Sequence, residues 1–223
     1  MGILKQRWRG VGYALGSAIL FGASTPFAKL LLGRQVDPGI MASLLYLGSG
    51  LGLACFWLAQ RQRQDAALRR KDIPLLGLVI LAGGVAAPLL LMIGLSHTSA
   101  SSASLLLNLE GLATMAIAWI AFRESVDARL LAGAFAILIG AVLLAWDPAI
   151  GTAGWGGLAI AAACLAWGID NNLTRKLSSS DPVQIAAIKG LAAGGCNFSL
   201  ALAQGAGIPT LSIVAATALL GLV

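Results

Sequence analysis

The sequence predicts an all-α integral membrane protein, a multi-spanning helical bundle of inverted five-helix repeats. Three observations carry that expectation: an apolar composition, a series of apolar runs each about one membrane thick, and internal similarity between distant runs. Hydrophobic residues fill 58% of the 223 positions and charged residues only 11%, with a mean hydropathy of +0.87. A soluble domain carries about 25% charged residues, so water is the wrong solvent for this chain. A β-barrel would alternate polar and apolar residues and show no continuous apolar blocks. The 28 glycines, with abundant alanine and serine, suit helices that approach closely in lipid.

A membrane helix needs about 20 predominantly apolar residues. Eight runs meet that template, at 11–31, 39–59, 73–95, 99–121, 129–147, 154–174, 182–203 and 208–223. The first follows "KQRWR", lacks a small-residue cleavage pattern and leads into further spans, so it reads as a retained first helix. Basic residues then fix the orientation. Lys5, Arg7, Arg9, Arg61, Arg63, Arg69, Arg70, Lys71, Arg123, Arg129, Arg175 and Lys176 fall on alternate connections, against only Lys29 and Arg34 on the others. The positive-inside rule therefore predicts a cytoplasmic N-terminus, in a cell membrane of the bacterial inner type. The net charge of +6 is explained by this loop bias, and no nucleic-acid partner is expected. The most basic loop, Arg63 to Lys71, is expected to anchor against anionic headgroups.

Internal similarity gives the organisation. "FG" at Phe21 and Gly22 followed by Lys29 returns as "WG" at Trp167 and Gly168 followed by Arg175, 146 residues later. "DPGIMA" from Asp37 returns as "DPVQIA" from Asp181, 144 residues later. Units starting at the first and sixth runs contain five helices each, an odd number, so they must lie upside down relative to one another. That divides the chain into a first repeat at 1–150 and a second, incomplete one at 151–223. The last run offers 16 residues, about 24 Å at ~1.5 Å per residue, short of a ~30 Å hydrocarbon core. Inverted repeats are characteristic of secondary transporters, whose substrate sites lie near the midplane where the halves meet.

The stretch "SHTSASSASLLLNLEGLATMAIAWIAFRESVDARLLAGAFAILIGAVLLAW", residues 96–146, resembles the fourth and fifth helices of EamA-type carriers in the drug/metabolite transporter superfamily. A small-residue entry ("SASSASLL"), a closing Glu124 and a glycine-rich following helix carry the likeness, as do the "FG" and "WG" starts. The resemblance implies a 5+5 inverted architecture and export of small organic metabolites such as amino acids. One departure stands out: many members have proline after the "LL.L" of helix 4, where this chain has Glu110.

Ionisable groups within a bilayer cost about 2.5–3.5 kcal/mol at a helix centre and are functional candidates by default. Glu110 lies mid-span, where a carboxylate could bind a cationic substrate group or take up a proton. Lys189 falls on a stripe with Ala186, Gly190, Ala193, Gly194 and Asn197, small and polar residues expected to face other helices. It could reach Glu110 or Asp170, or else snorkel to the nearby surface. Asp170, Asn171 and Asn172 either line the inner mouth of a cavity or form ordinary interfacial polarity. Asn108 reads as an interhelical hydrogen-bonding residue or a substrate ligand. Helix 4, polar on two faces, is expected to be surrounded by protein. Pro26 and Pro88 are expected to kink their helices and free backbone carbonyls. Gly12/Gly16, Gly48/Gly52 and Gly190/Gly194 have the spacing of helix contacts, and Cys55, Cys164 and Cys196 read as buried hydrophobes.

The expected function is a secondary membrane transporter, with a channel or non-transporting scaffold as the alternative. No HExxH, acidic metal cluster or GxSG with a partnering histidine supports an enzyme, and neither metal nor cofactor is expected. The expected partners are a small-molecule substrate and the lipid bilayer; proton coupling and homodimerisation are left open.

Overall fold

The structure, a computed structural model, describes residues 2–34, 36–59, 68–145, 153–177 and 180–222. The expected repeat boundary at 150/151 and the bases Arg61 and Arg63 lie outside the described residues. Regular structure among them is helical: α1 (Gly2–Leu32), α2 (Pro38–Ala59), α3 (Ile73–Val79), α4 (Ala87–Ser96), α5 (Ala100–Leu106), α6 (Leu109–Phe122), α7 (Ala128–Ala145), α8 (Ala153–Thr174), α9 (Pro182–Ala203) and α10 (Leu211–Gly221). Five stretches are long and apolar enough to cross a membrane: Leu15–Leu32, Pro38–Ala59, Arg70–Ser96, Ala100–Phe122 and Pro182–Ala203. Large apolar side chains such as Leu15, Ile19, Phe56, Ile120 and Leu143 face outward, as lipid permits and water does not. The chain is a helical membrane protein.

Two apolar runs are composites. The third comprises a 3-10 turn (Arg70–Asp72), α3, a π-helical segment (Ile80–Ala86) and α4. Pro88 accounts for the interruption. Its ring nitrogen has no hydrogen to give to the carbonyl four or five residues earlier. The preceding N–H, of Ala87, bonds to Ala82 O in the wider register. Pro26 differs in that α1 runs through it to Leu32 as one continuous helix. The fourth run divides at Leu107 and Asn108 into α5 and α6, with the buried Cys164 thiol donating to Leu106 O at 3.6 Å.

The centre of the bundle is the antiparallel pair α2 and α9. Each begins with Asp-Pro, and each aspartate caps its own helix: Asp37 accepts from Gly39 N and Ile40 N, and Asp181 from Val183 N and Gln184 N. The helices close at both ends and the middle. Trp57 Nε1 donates to Asp181 Oδ2 at 2.8 Å, and a Cβ on Gly39 would lie 3.0 Å from Ala201 Cβ. Between these points Gly190 faces the Gly50 backbone and Gly194 faces Leu47. Gly48 and Gly52 admit α10 at Ala218 and Leu222. Those two glycine pairs make the expected contacts; Gly12 and Gly16 face nothing within 4 Å.

Glycine also sets the neighbouring crossings. A Cβ on Gly94 of α4 would sit 2.7 Å from Gly156 O of α8, and one on Gly168 of α8 would sit 2.9 Å from the α6 backbone at Ala113. Lys29 at the end of α1 donates to Leu95 O (2.5 Å) and Ser96 O (3.2 Å), the negative end of α4. The α6 part of the fourth run is less enclosed than its polarity suggests, since α6 meets α8 on one side and Ala118 is its one buried residue. Of the cysteines only Cys164 is buried; Cys55 and Cys196 face outward, where lipid accommodates a thiol as readily as the core.

The glycine contacts predict a position-specific stability effect. Gly190→Ala should destabilise the protein by about 1–3 kcal/mol through overpacking, because the added methyl meets the Gly50 backbone. Gly195→Ala, facing open space in the same helix, should leave stability unchanged or raise it. Thermal unfolding of the two variants in detergent checks this; equal effects would contradict it.

Candidate functional site

The site grows from the proline in the third span. Without an N–H at Pro88, the carbonyls of Gly83 and Gly84 are open to other partners, and three helices supply them. Gly83 O accepts from Tyr46 Oη at 2.8 Å and Trp167 Nε1 at 3.0 Å, while Gly84 O accepts from Asn197 Nδ2 at 3.2 Å. Unsatisfied carbonyls in lipid cost several kcal/mol, so these bonds tie α2, α8 and α9 to one point on the π segment.

The same segment makes room for a charge. Gly83 has no side chain, and the Asp170 carboxylate occupies the space a Cβ would need. Asp170 is 3% exposed. Its Oδ2 pairs with Lys189 Nζ, and its Oδ1 accepts from Thr174 Oγ1 at 3.0 Å. Lys189 runs over Gly84 on its way. Of the sequence alternatives for this lysine, the structure takes Asp170 as partner, not Glu110 and not the surface.

Beside the ion pair lies a cavity of about 490 Å³. Lys189, Asp170, Asn171, Glu110, Tyr46 and Trp167 line its polar side, with Ser24, Thr25 and Ser49; Leu45, Leu53, Leu91, Met92, Leu95 and Leu107 supply apolar wall. Glu110 Oε1 accepts from Asn171 Nδ2 at 2.9 Å, and the same amide reaches Thr114 Oγ1 at 3.2 Å. A second cavity of about 460 Å³ opens on the far side of this contact, lined by Glu110, Thr114, Asn171, Glu124 and Arg175 among others. Glu124 and Arg175 pair there at 2.7 Å, with Arg175 and Lys176 over the Phe122 ring.

Four of the six sequence candidates thus meet at one cavity: Glu110, Asp170, Asn171 and Lys189. Asn172 is buried and turned away, donating to Thr114 O (2.9 Å) and Gly168 O (2.8 Å), so it holds α8 against α6. Asn108 bonds back to its own helix at Leu105 O (2.9 Å) and lies outside the lining, because the turn between α5 and α6 uses its amide locally. Sequence reasoning passes over Tyr46 and Trp167 as wall residues. The available signals were the "WG" of the repeat and the place of Tyr46 one turn before Gly50.

The buried pair predicts non-additive stability. Lys189→Met strands a buried carboxylate and should cost about 3–5 kcal/mol, whereas Asp170→Asn combined with Lys189→Met should recover most of that loss. Thermal unfolding in detergent separates the two. A single variant as stable as the double would show that the charges are not coupled.

The sequence pattern of the EamA-like transporter family matches residues 8–146. A Methanothermobacter thermautotrophicus protein named only as an uncharacterized transporter is 28% identical over 212 residues, which cover 86% of this chain and 61% of that relative. The chain therefore spans less than two thirds of that relative's length. No solved structure matches it. A family pattern that covers more than half of the chain, on a bundle of apolar helices with a polar cavity between them, shows that the chain belongs to the EamA-like transporter family.

Proposed function

We propose that this transporter carries a small organic metabolite through the central cavity by alternating access of two inverted halves, and that it exports from the cytoplasm. Amino acids and related compounds are the cargo class.

The observation that carries the reading is where equivalent positions of the sequence repeat fall. Ser24 and Thr25 of α1 correspond to Asp170 and Asn171 of α8; Leu45 and Tyr46 of α2 correspond to Lys189 and Gly190 of α9. All eight line the same cavity. The two Asp-Pro caps support the same relation, since each starts a helix of the central antiparallel pair with the same hydrogen bonds. Contacts within that pair also recur in exchanged form: Gly50 meets Gly190, and Gly194, the counterpart of Gly50, meets Leu47 beside the counterpart of Gly190. Such exchange is what a two-fold axis in the membrane plane produces. A cavity bounded equivalently by both halves can open to either side when one half rocks against the other.

Glu110 is the coupling group in this scheme. It sits between the two cavities with Oε1 held by Asn171. A carboxylate there can exchange cargo for a proton, so that an inward proton gradient drives cargo out.

In liposomes containing the protein, uptake should be screened with a metabolite panel, with and without an imposed pH gradient. Glu110→Gln is expected to lower transport at least tenfold and to remove its response to the gradient. Asn108→Ala, outside the lining, should leave both intact. Unchanged transport and pH response in Glu110→Gln would refute the assigned role.

A further inference from the structure

We infer that the two cavities are compartments of one cation-selecting path, with Glu110 at their junction as the selecting group, and that the cargo is an organic cation with an apolar body. This rests on the transporter reading above and selects, within its class of amino acids and related compounds, the related amines whose ammonium is not balanced by a carboxylate.

Charge balance is the first argument. In the central cavity the carboxylate of Asp170 is neutralised by Lys189. In the second cavity the carboxylate of Glu124 is neutralised by Arg175. Glu110 lines both, and among the described residues no lysine or arginine lies within ion-pair distance of it. Its Oε1 takes an amide hydrogen from Asn171, and Oε2 has no hydrogen-bond partner among the described residues. Each compartment therefore carries one uncompensated negative charge at the same place. A carboxylate-bearing solute would meet that charge with every base already engaged; an ammonium would supply the missing counter-charge.

The walls give the second argument. Tyr46 and Trp167 line the central cavity with their polar atoms turned to Gly83 O, which leaves their ring carbons as wall. Aromatic surface beside a lone carboxylate favours a cation electrostatically and its hydrocarbon body by burial. Leucines 45, 53, 91 and 95 extend the apolar side.

Three probes of similar body and different charge test this: phenethylammonium, zwitterionic phenylalanine and anionic 3-phenylpropionate. Their binding to the purified chain in detergent is read by titration calorimetry. Phenethylammonium should bind at least tenfold more tightly than either of the others. Glu110→Gln should erase that preference, and Glu110→Asp, which keeps the charge, should retain it. Equal or tighter binding of phenylpropionate or phenylalanine, a preference that survives Glu110→Gln, a preference lost in Glu110→Asp, or binding of none of the probes would each overturn the inference. Flux of the same probes in liposomes is the separate arm: charge-ordered binding without flux would count against the transporter reading while leaving the charge selectivity standing.

Discussion

A hydrogen bond that Pro88 cannot make underlies the arrangement of the site. The absent N–H withdraws the helical donor that Gly84 O, or in the wider register Gly83 O, would take, and in a membrane such a carbonyl must be satisfied from within the protein. Tyr46, Trp167 and Asn197 answer from three different helices. The π segment is thereby a knot: it fixes α2, α8 and α9 relative to the third span, and Gly83 opens the space into which Asp170 fits. Lys189 follows Asp170, and the cavity wall follows from both. A regular helix with a side chain at position 83 would exclude the ion pair sterically.

Under the repeat proposed above, matching positions are unlike in charge. Where the first repeat has Ser24 and Leu45, the second has Asp170 and Lys189, and these become the buried ion pair. Lys29 and Arg175, the matching bases, also diverge: one closes the carbonyl end of α4, the other pairs with Glu124. In the proposed alternating-access cycle such an asymmetric charge set suits directional transport, because the two open states would present different electrostatics to cargo. The interhelical glycines set the close helix contacts, and Asp170 of α8 supplies the buried charge.

Much of the fold was legible in the sequence because membrane solvation is a strict filter. Span lengths, the inward stripe of α9 and the repeated Asp-Pro caps are direct consequences of lipid and of helix termini. The special backbone at Pro88 was also readable; that it would take the form of a π segment, while α1 runs through Pro26 as one helix, was not. The site was legible in part. Intramembrane charge pointed to Glu110, Asp170 and Lys189, and the structure gathers all three. It could not tell which acid Lys189 would meet, because that depends on the crossing of α8 and α9, nor that Asn172 would face away from Asn171, because adjacent helical residues lie about 100° apart. Cys55 and Cys196 read as core because lipid and protein interior select the same side chains.

The central claim is that the cavity shared by equivalent positions of both halves opens to the two membrane faces in turn. Its most direct test places one cysteine at Ser49, on the cavity wall, after Cys55, Cys164 and Cys196 have been replaced, and measures modification by a membrane-impermeant thiol reagent from each face. The account predicts reaction from both faces and, when cargo or an imposed gradient shifts the protein between states, a rate that rises from one face as it falls from the other. Rates that rise and fall together, or reaction from one face alone under every condition, would contradict it.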